Sequence, residues 1–231
     1  MALVFESDPS TIYTFYTDGG CSFPDCPSAS LASWSVVGDD LHDDCKRCEL
    51  GKLYQDNNEW PTTLKSIASG HVPNKQTNDR GELMAIIQCL SLAKHRVCIW
   101  SDSTYALDTL SKVIESKGDI TKLHKCKNWD LVILLISVVN LRTEEEIRYN
   151  HIKAHEPLNL PRHPIVQYNV LGNYLADSIA SNLIQNLPDD LKMISTGINE
   201  HYSAGTKATW TSLANLQKPC PRTISVKSVR P

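Results

Sequence analysis

Apolar and polar positions alternate with changing period along this chain, and the changes divide it into elements. Thr11 to Thr17 (TIYTFYT) is β-branched and aromatic and reads as a strand, ended by the turn signal Asp18-Gly19-Gly20. Leu31 to Val37 (LASWSVV) reads as a second strand, after a loop, CSFPDCPSAS, longer than a tight hairpin needs. Gly38 to Asn58 is acidic and polar, and no period assigns it. A third strand falls within Leu64 to Val72.

From Asp79 to Lys94 the apolar Leu83, Ile86, Ile87, Leu90 and Leu92 recur at helical spacing, with Asn78 or Asp79 as N-cap. Arg96 to Trp100 (RVCIW) is a short buried-type strand that ends at Ser101-Asp102, and a helix follows from Ser103 to Glu115. Trp129 to Leu141 is apolar nearly all round and reads as a buried helix, with a strand as the alternative. Glu146 to His151 (EIRYNH) is the fifth strand and Asn173 to Asn186 the last amphipathic helix. This order predicts a mixed sheet with helices packed on it, an α/β layer architecture. Residues 1–10 are expected to be an N-terminal extension and 11–186 one domain. Residues 187–231, rich in Ser, Thr, Gly, Lys and Pro without period, are expected to be a tail.

Composition narrows the function classes. With 41% hydrophobic and 21% charged residues the chain is ordinary globular material, and its 231 residues can bury a full core. A net charge of −3 does not mark a general nucleic-acid binder, so any electrostatic footprint must be local. The longest apolar run, Leu131 to Ile136, is far short of a membrane span, and the start MALVFESDPS is acidic where a secretory signal is basic. Eight cysteines without framework spacing are expected to be mostly reduced, which makes the expected location intracellular, nuclear or cytoplasmic. Cys21, Cys26, Cys45 and Cys48 leave one zinc arrangement open, C-x4-C with C-x2-C.

Three acids fall where α/β sheets gather their ligand sites. Asp18 ends the first strand, Glu82 lies in the first turn of the first helix, and Asp102 ends the fourth strand. Asp177, inside the last helix, is a fourth candidate. Acids brought together repel one another, and a hard cation such as Mg2+ relieves the repulsion. Taken singly, each acid is more often a turn residue, a helix-dipole partner or a solvated face.

Together, YTDGG at 16–20, TNDRGEL at 77–83, SDS at 101–103 and NYLAD at 173–177 resemble the ribonuclease H family in order and spacing. The resemblance covers Thr11 to Asn186. It implies a ribonuclease H-like fold, a mixed five-stranded sheet of three antiparallel strands then two parallel ones. It also implies hydrolysis of the RNA strand of RNA–DNA hybrids with two Mg2+ ions, for which Mn2+ can substitute. The four carboxylates Asp18, Glu82, Asp102 and Asp177 are the implied ligands. His155, in Lys153-Ala154-His155, resembles the family's mobile-loop histidine, with His151 and His163 as competitors, although the loop Glu156 to Gly172 is longer and richer in proline than usual. Gly19, Thr77, Asn78, Asp79, Arg80, Thr104 and Asn173 are the implied hybrid contacts. Arg80 has a second reading, as a structural partner for an acid, and Asp79 stands where the family often has Asn. Lys112, Lys117, Lys122, Lys125 and Lys127 correspond to a basic protrusion of some relatives, or to a solvated helix–loop.

The long loop, the LGN before Tyr174 and the TNDRGEL form resemble ribonuclease H domains of retroelements, non-LTR retrotransposons among them. The implied partners are an RNA–DNA hybrid and a reverse transcriptase of the same element, with no membrane. The rival functions are a catalytically idle hybrid-binding module from a decayed element, and a related metal-dependent exonuclease. The exonucleases carry their carboxylates in other local motifs.

Overall fold

A computed structural model describes residues 11–23, 30–39, 41, 43–93, 96–143 and 146–186. The expected extension at 1–10 and tail at 187–231 lie outside these residues. The elements run β1 (Ile12–Ser22), β2 (Leu31–Asp39), α1 (Asp44–Asn57), β3 (Leu64–His71), α2 (Asn78–Leu92), β4 (Arg96–Ser101), α3 (Thr104–Ser116), α4 (Ile120–Leu123), α5 (Trp129–Val139), β5 (Ile147–His151) and α6 (Pro164–Gln185). The sheet order is β3-β2-β1-β4-β5. β1–β2 and β2–β3 pair antiparallel, while β1–β4 and β4–β5 pair parallel.

The sheet separates two apolar clusters. On one face Phe15, Val36, Val97 and Ile99 pack with Leu83, Ile86, Leu90, Leu110, Leu131 and Leu135 from α2, α3 and α5. On the other face Tyr16 and Val37 pack with Tyr168, Leu171 and Ala176 of α6. Trp129–Val139 is thus a helix, not a strand. Its Leu131, Val132, Leu135, Ile136 and Val139 are buried at helical spacing.

Four expectations need correction. First, Asp18-Gly19-Gly20 is not a turn: β1 runs through it to Ser22, with Asp18 opposite Ser35 and Gly19 opposite Trp34. A β-carbon at Gly19 would overlap the backbone of Gly81 and Glu82, so glycine serves there for close approach of β1 to α2. Second, α2 begins at Asn78 after an N-cap at Thr77 whose side chain makes no capping bond, and it ends at Leu92. Glu82 therefore sits one turn in, not in the first turn.

Third, α6 starts at Pro164, nine residues before the expected Asn173, so the loop after His155 is short. Pro164 occupies the first helical position, where a missing N–H costs nothing. Gly172 is a packing residue, because a β-carbon there would press into the ring of Tyr16. Fourth, the unassigned acidic stretch holds α1. Asp43 caps it by accepting from Cys45 N (2.8 Å), and Arg47 ties it to Asp39 Oδ2 (2.6 Å), Thr14 Oγ1 (2.8 Å) and the Leu41 carbonyl (2.6 Å).

Candidate active site

Backbone proximity brings the acids together. Asp18 is on β1, and Gly19 and Gly81 let α2 lie against that strand, which delivers Glu82. Asp102 follows β4, the parallel neighbour of β1. After it, Ser103 caps α3 by accepting from Ala106 N (3.2 Å), which fixes the chain's exit. One carboxylate oxygen from each of Asp18, Glu82 and Asp102 lies within 4.8 Å of the other two.

α6 carries Asp177 to the same cleft. Ser35 and Ser33 on β2 donate to the carbonyls of Ala176 and Ala180, each at 2.6 Å, and clamp the helix across the sheet on both sides of Asp177. Asp177 and His155 line the cleft together with the other three acids, Asn78, Asp79 and Thr104. His155 has φ +50°, is largely exposed, and holds Nδ1 3.8 Å from Asp177 Oδ2. Its loop is clamped beside it: Glu156 pairs with Lys153 at 2.8 Å and Arg162 at 3.2 Å, and Gln55 of α1 donates to the Arg162 carbonyl at 2.8 Å. Among its competitors, His151 places Nε2 3.2 Å from the Asp102 carbonyl outside the cleft lining, and His163 is the N-cap of α6.

The electrostatics are those of crowded, poorly hydrated carboxylates. Burial first, then the charges of Asp102 and Asp177 and a hydrogen bond with Asp102, push the Asp18 carboxyl well above its ordinary value. Burial, then the charges of Asp18 and Asp102, does the same to Glu82. Glu82 Oε2 is buried without a hydrogen-bond partner among the described residues. A buried acceptor with spare lone pairs, in a cluster of oxygens only, fits a hard divalent cation of the Mg2+ type.

The expected hybrid contacts divide. Gly19, Asn78, Asp79 and Thr104 line the cleft. Arg80 does not reach it: it is 1% exposed and forms a two-pronged pair with Asp130 at 2.7 Å on each arm. That corrects its assignment as a groove contact in favour of the structural one. Asn173 is also buried and donates to Asp102 Oδ2 (3.3 Å), which makes it a positioning residue for that carboxylate. Thr77 is the N-cap of α2 and is not among the residues that line the cleft.

The basic segment adjoins the cleft at one end. Lys127 Nζ is 3.9 Å from Asp79, and its carbonyl accepts from the Tyr105 hydroxyl (3.3 Å). Tyr105 and Ser181 line the cleft and escaped sequence reasoning. Ser181 stands four residues after Asp177 and donates to its Oδ1 at 3.4 Å, a helical spacing that could have revealed it.

Among the described residues, the zinc arrangement does not assemble. Cys45 and Cys48 belong to α1, which Arg47 fastens to Thr14, and Cys21 lies seven residues along β1, roughly 23 Å at strand rise. Cys26 lies outside the described residues.

Fold and site together define an α/β protein with a carboxylate cleft where the middle of β1 passes the end of β4. A family model for RNase H matches residues 10–185, and the chain belongs to the ribonuclease H family. Nothing among the curated proteins matches it. Among solved structures, the native prototype foamy virus protease–reverse transcriptase is similar, at 18% identity and a TM-score of 0.51 over 80% of this chain. The match covers 22% of that longer protein. The solution structure of the same virus's RNase H domain is 17% identical, with a TM-score of 0.47, over 74% of this chain and 94% of that one. The fold is ribonuclease H-like, as its mixed sheet and flanking helices state independently. Among the described residues, no helix is long and apolar enough to cross a membrane.

Proposed function

We propose that this domain is an endoribonuclease that hydrolyses the RNA strand of RNA–DNA hybrids with divalent metal. The observation that carries the proposal is the convergence of Asp18, Glu82 and Asp102 within 4.8 Å, with Asp177 across the cleft, in a ribonuclease H family fold. Asp18, Glu82, Asp102 and Asp177 would hold the ions, Mg2+ or Mn2+. When bound, the ions supply Lewis-acid stabilisation at phosphorus and a water that deprotonates near neutral pH.

This chain's own groups do the rest. The carboxylates hold the reacting phosphate's counter-charge, and the buried Asn173 keeps Asp102 in orientation. As the water oxygen bonds to phosphorus its proton passes to solvent, the P–O3′ bond breaks, and the leaving 3′ oxygen takes a proton from solvent or from His155. His155, exposed to solvent and beside Asp177, exchanges protons or eases departure of the product. Asn78, Asp79 and Thr104 on the lip favour contacts to 2′-hydroxyls, which distinguish RNA from DNA. The retroelement resemblance and the foamy virus protease–reverse transcriptase neighbour support an origin beside a reverse transcriptase.

The test is a substrate panel with Mg2+: labelled RNA–DNA hybrid, duplex RNA and duplex DNA. Selective cleavage of the hybrid's RNA into 5′-phosphate fragments supports the proposal. Equal cleavage of duplex DNA overturns it, and binding of hybrid without any cleavage favours the idle module.

A further inference from the structure

Beside the acidic cleft, and sharing His155 and Asp177 with it, lies a second depression of about 240 Å³. We propose that it holds one unpaired nucleobase of the RNA strand, stacked on Tyr174; this rests on the hybrid-cleavage reading above. The volume is below the ~300–1,000 Å³ of sites for larger ligands and suits a single planar ring system. Leu158 and Val170 give it apolar walls.

Tyr174 is the feature that needs an occupant. It is 46% exposed although it sits in the middle of a well-packed helix. Its ring is backed by Trp60, centroids 6.0 Å apart, and Trp60 is in turn met edge-on by Tyr54 of α1 at 5.9 Å. Such a file of rings holds an exposed aromatic surface still, which is what stacking with a base requires.

Two polar observations narrow the ligand. Asn173 lines the depression at 5% exposure; its Nδ2 is committed to Asp102, and its Oδ1 is buried with no partner among the described residues. Reaching that oxygen takes a small turn of the side chain toward the depression; a base then brings amino or ring N–H donors to it, whereas a phosphate carries none. The rim carries the acids Glu156, paired with Lys153 at 2.8 Å, and Asp177, which disfavour a phosphate there. A paired base inside a helix cannot enter, but one splayed from a strand end can. Continuity with the cleft makes the strand being cleaved its source.

Base-on-aromatic stacking implies about a 5- to 140-fold gain in affinity per base. The experiment compares a blunt RNA–DNA hybrid with hybrids extended by unpaired RNA at the 5′ or the 3′ end. 2-Aminopurine is placed in the extension and binding is measured in EDTA. One extended hybrid should bind about 5- to 140-fold tighter than the blunt one, with quenched 2-aminopurine fluorescence. Tyr174→Ala should erase both differences and Tyr174→Phe should keep them, while all three proteins cleave the blunt hybrid alike in Mg2+. Equal binding of blunt and extended hybrids by the unaltered protein overturns the proposal. So does a preference that survives Tyr174→Ala, or binding of an aromatic peptide in place of the extension. If blunt hybrid is never cleaved, the reading of the function fails instead, and quenching of a free single-stranded 2-aminopurine RNA still reports on the depression.

Discussion

Asp102→Asn removes one charge from the cluster and keeps the side chain's shape, including an oxygen to accept from Asn173. Two like charges at the 4.8 Å limit of the cluster repel by about 1 kcal/mol in water and ~3.5 kcal/mol at the effective dielectric of a protein surface. Asp102 is only half-buried and the cluster lines an open cleft, so solvent screens part of that repulsion. The expected gain for the metal-free protein is therefore about 1–2 kcal/mol, a rise in Tm of roughly 2–8 °C for a chain of this size. An amide is a poor ligand for Mg2+, so cleavage should vanish, and added Mg2+ should raise the Tm of the unaltered protein more than that of the variant.

The pH dependence carries the same sign. Asp18 and Glu82 have folded values above their ordinary 3.8 and 4.5, so the native state binds the extra protons between those values and the raised ones. Stability in EDTA should fall as pH rises through that window, and fall less steeply in Asp102→Asn. Thermal melts with EDTA and with Mg2+, at several pH values, read both effects. A variant that is less stable without metal and still cleaves hybrid would refute the reasoning, because that is how a structural aspartate behaves.

His155→Ala should lower kcat by about 10²–10⁴-fold if the ring transfers a proton, and by less if it only eases product release, with KM little changed. His151→Ala should be silent in the same assay, and the reverse pattern would move the role to β5. Gly19→Ala should cost about 1–3 kcal/mol in denaturant melts and most of the activity, since its β-carbon pushes α2 and Glu82 away from Asp18. A stable, active Gly19→Ala protein would contradict the close-approach argument. Arg80→Ala should destabilise by about 2–3 kcal/mol, less than a fully buried pair because Asp130 keeps some water; unchanged melting would disprove the structural role.

The sheet was legible because most of its strands are short runs with β-branched or aromatic residues, β3 with its lone Ile67 being the weakest, and the helices of the first face because their apolar residues keep helical spacing. What hid was set by tertiary contact. α1 is mostly polar: its packed face is only Leu50, Gly51 and Tyr54 beside the Arg47 network, too few apolar residues to give a clear period. The glycines at 19 and 172 carry the same local signal as turn glycines, yet both serve close packing against elements distant in sequence. Among the site residues, the acids stood out because four motifs occurred in order. The inward turn of Arg80 toward Asp130 depends on a partner fifty residues away, which no local pattern encodes.

Whether the acids of this cleft make a metal-dependent nuclease is decided by titrating Mg2+ against labelled RNA–DNA hybrid. The titration is run with the unaltered protein and with Asp18→Asn. Cleavage should rise and saturate with Mg2+, stop on adding EDTA, and be absent at every Mg2+ concentration in the variant. Cleavage that persists in EDTA, or a variant that cleaves as fast as the unaltered protein, would contradict it.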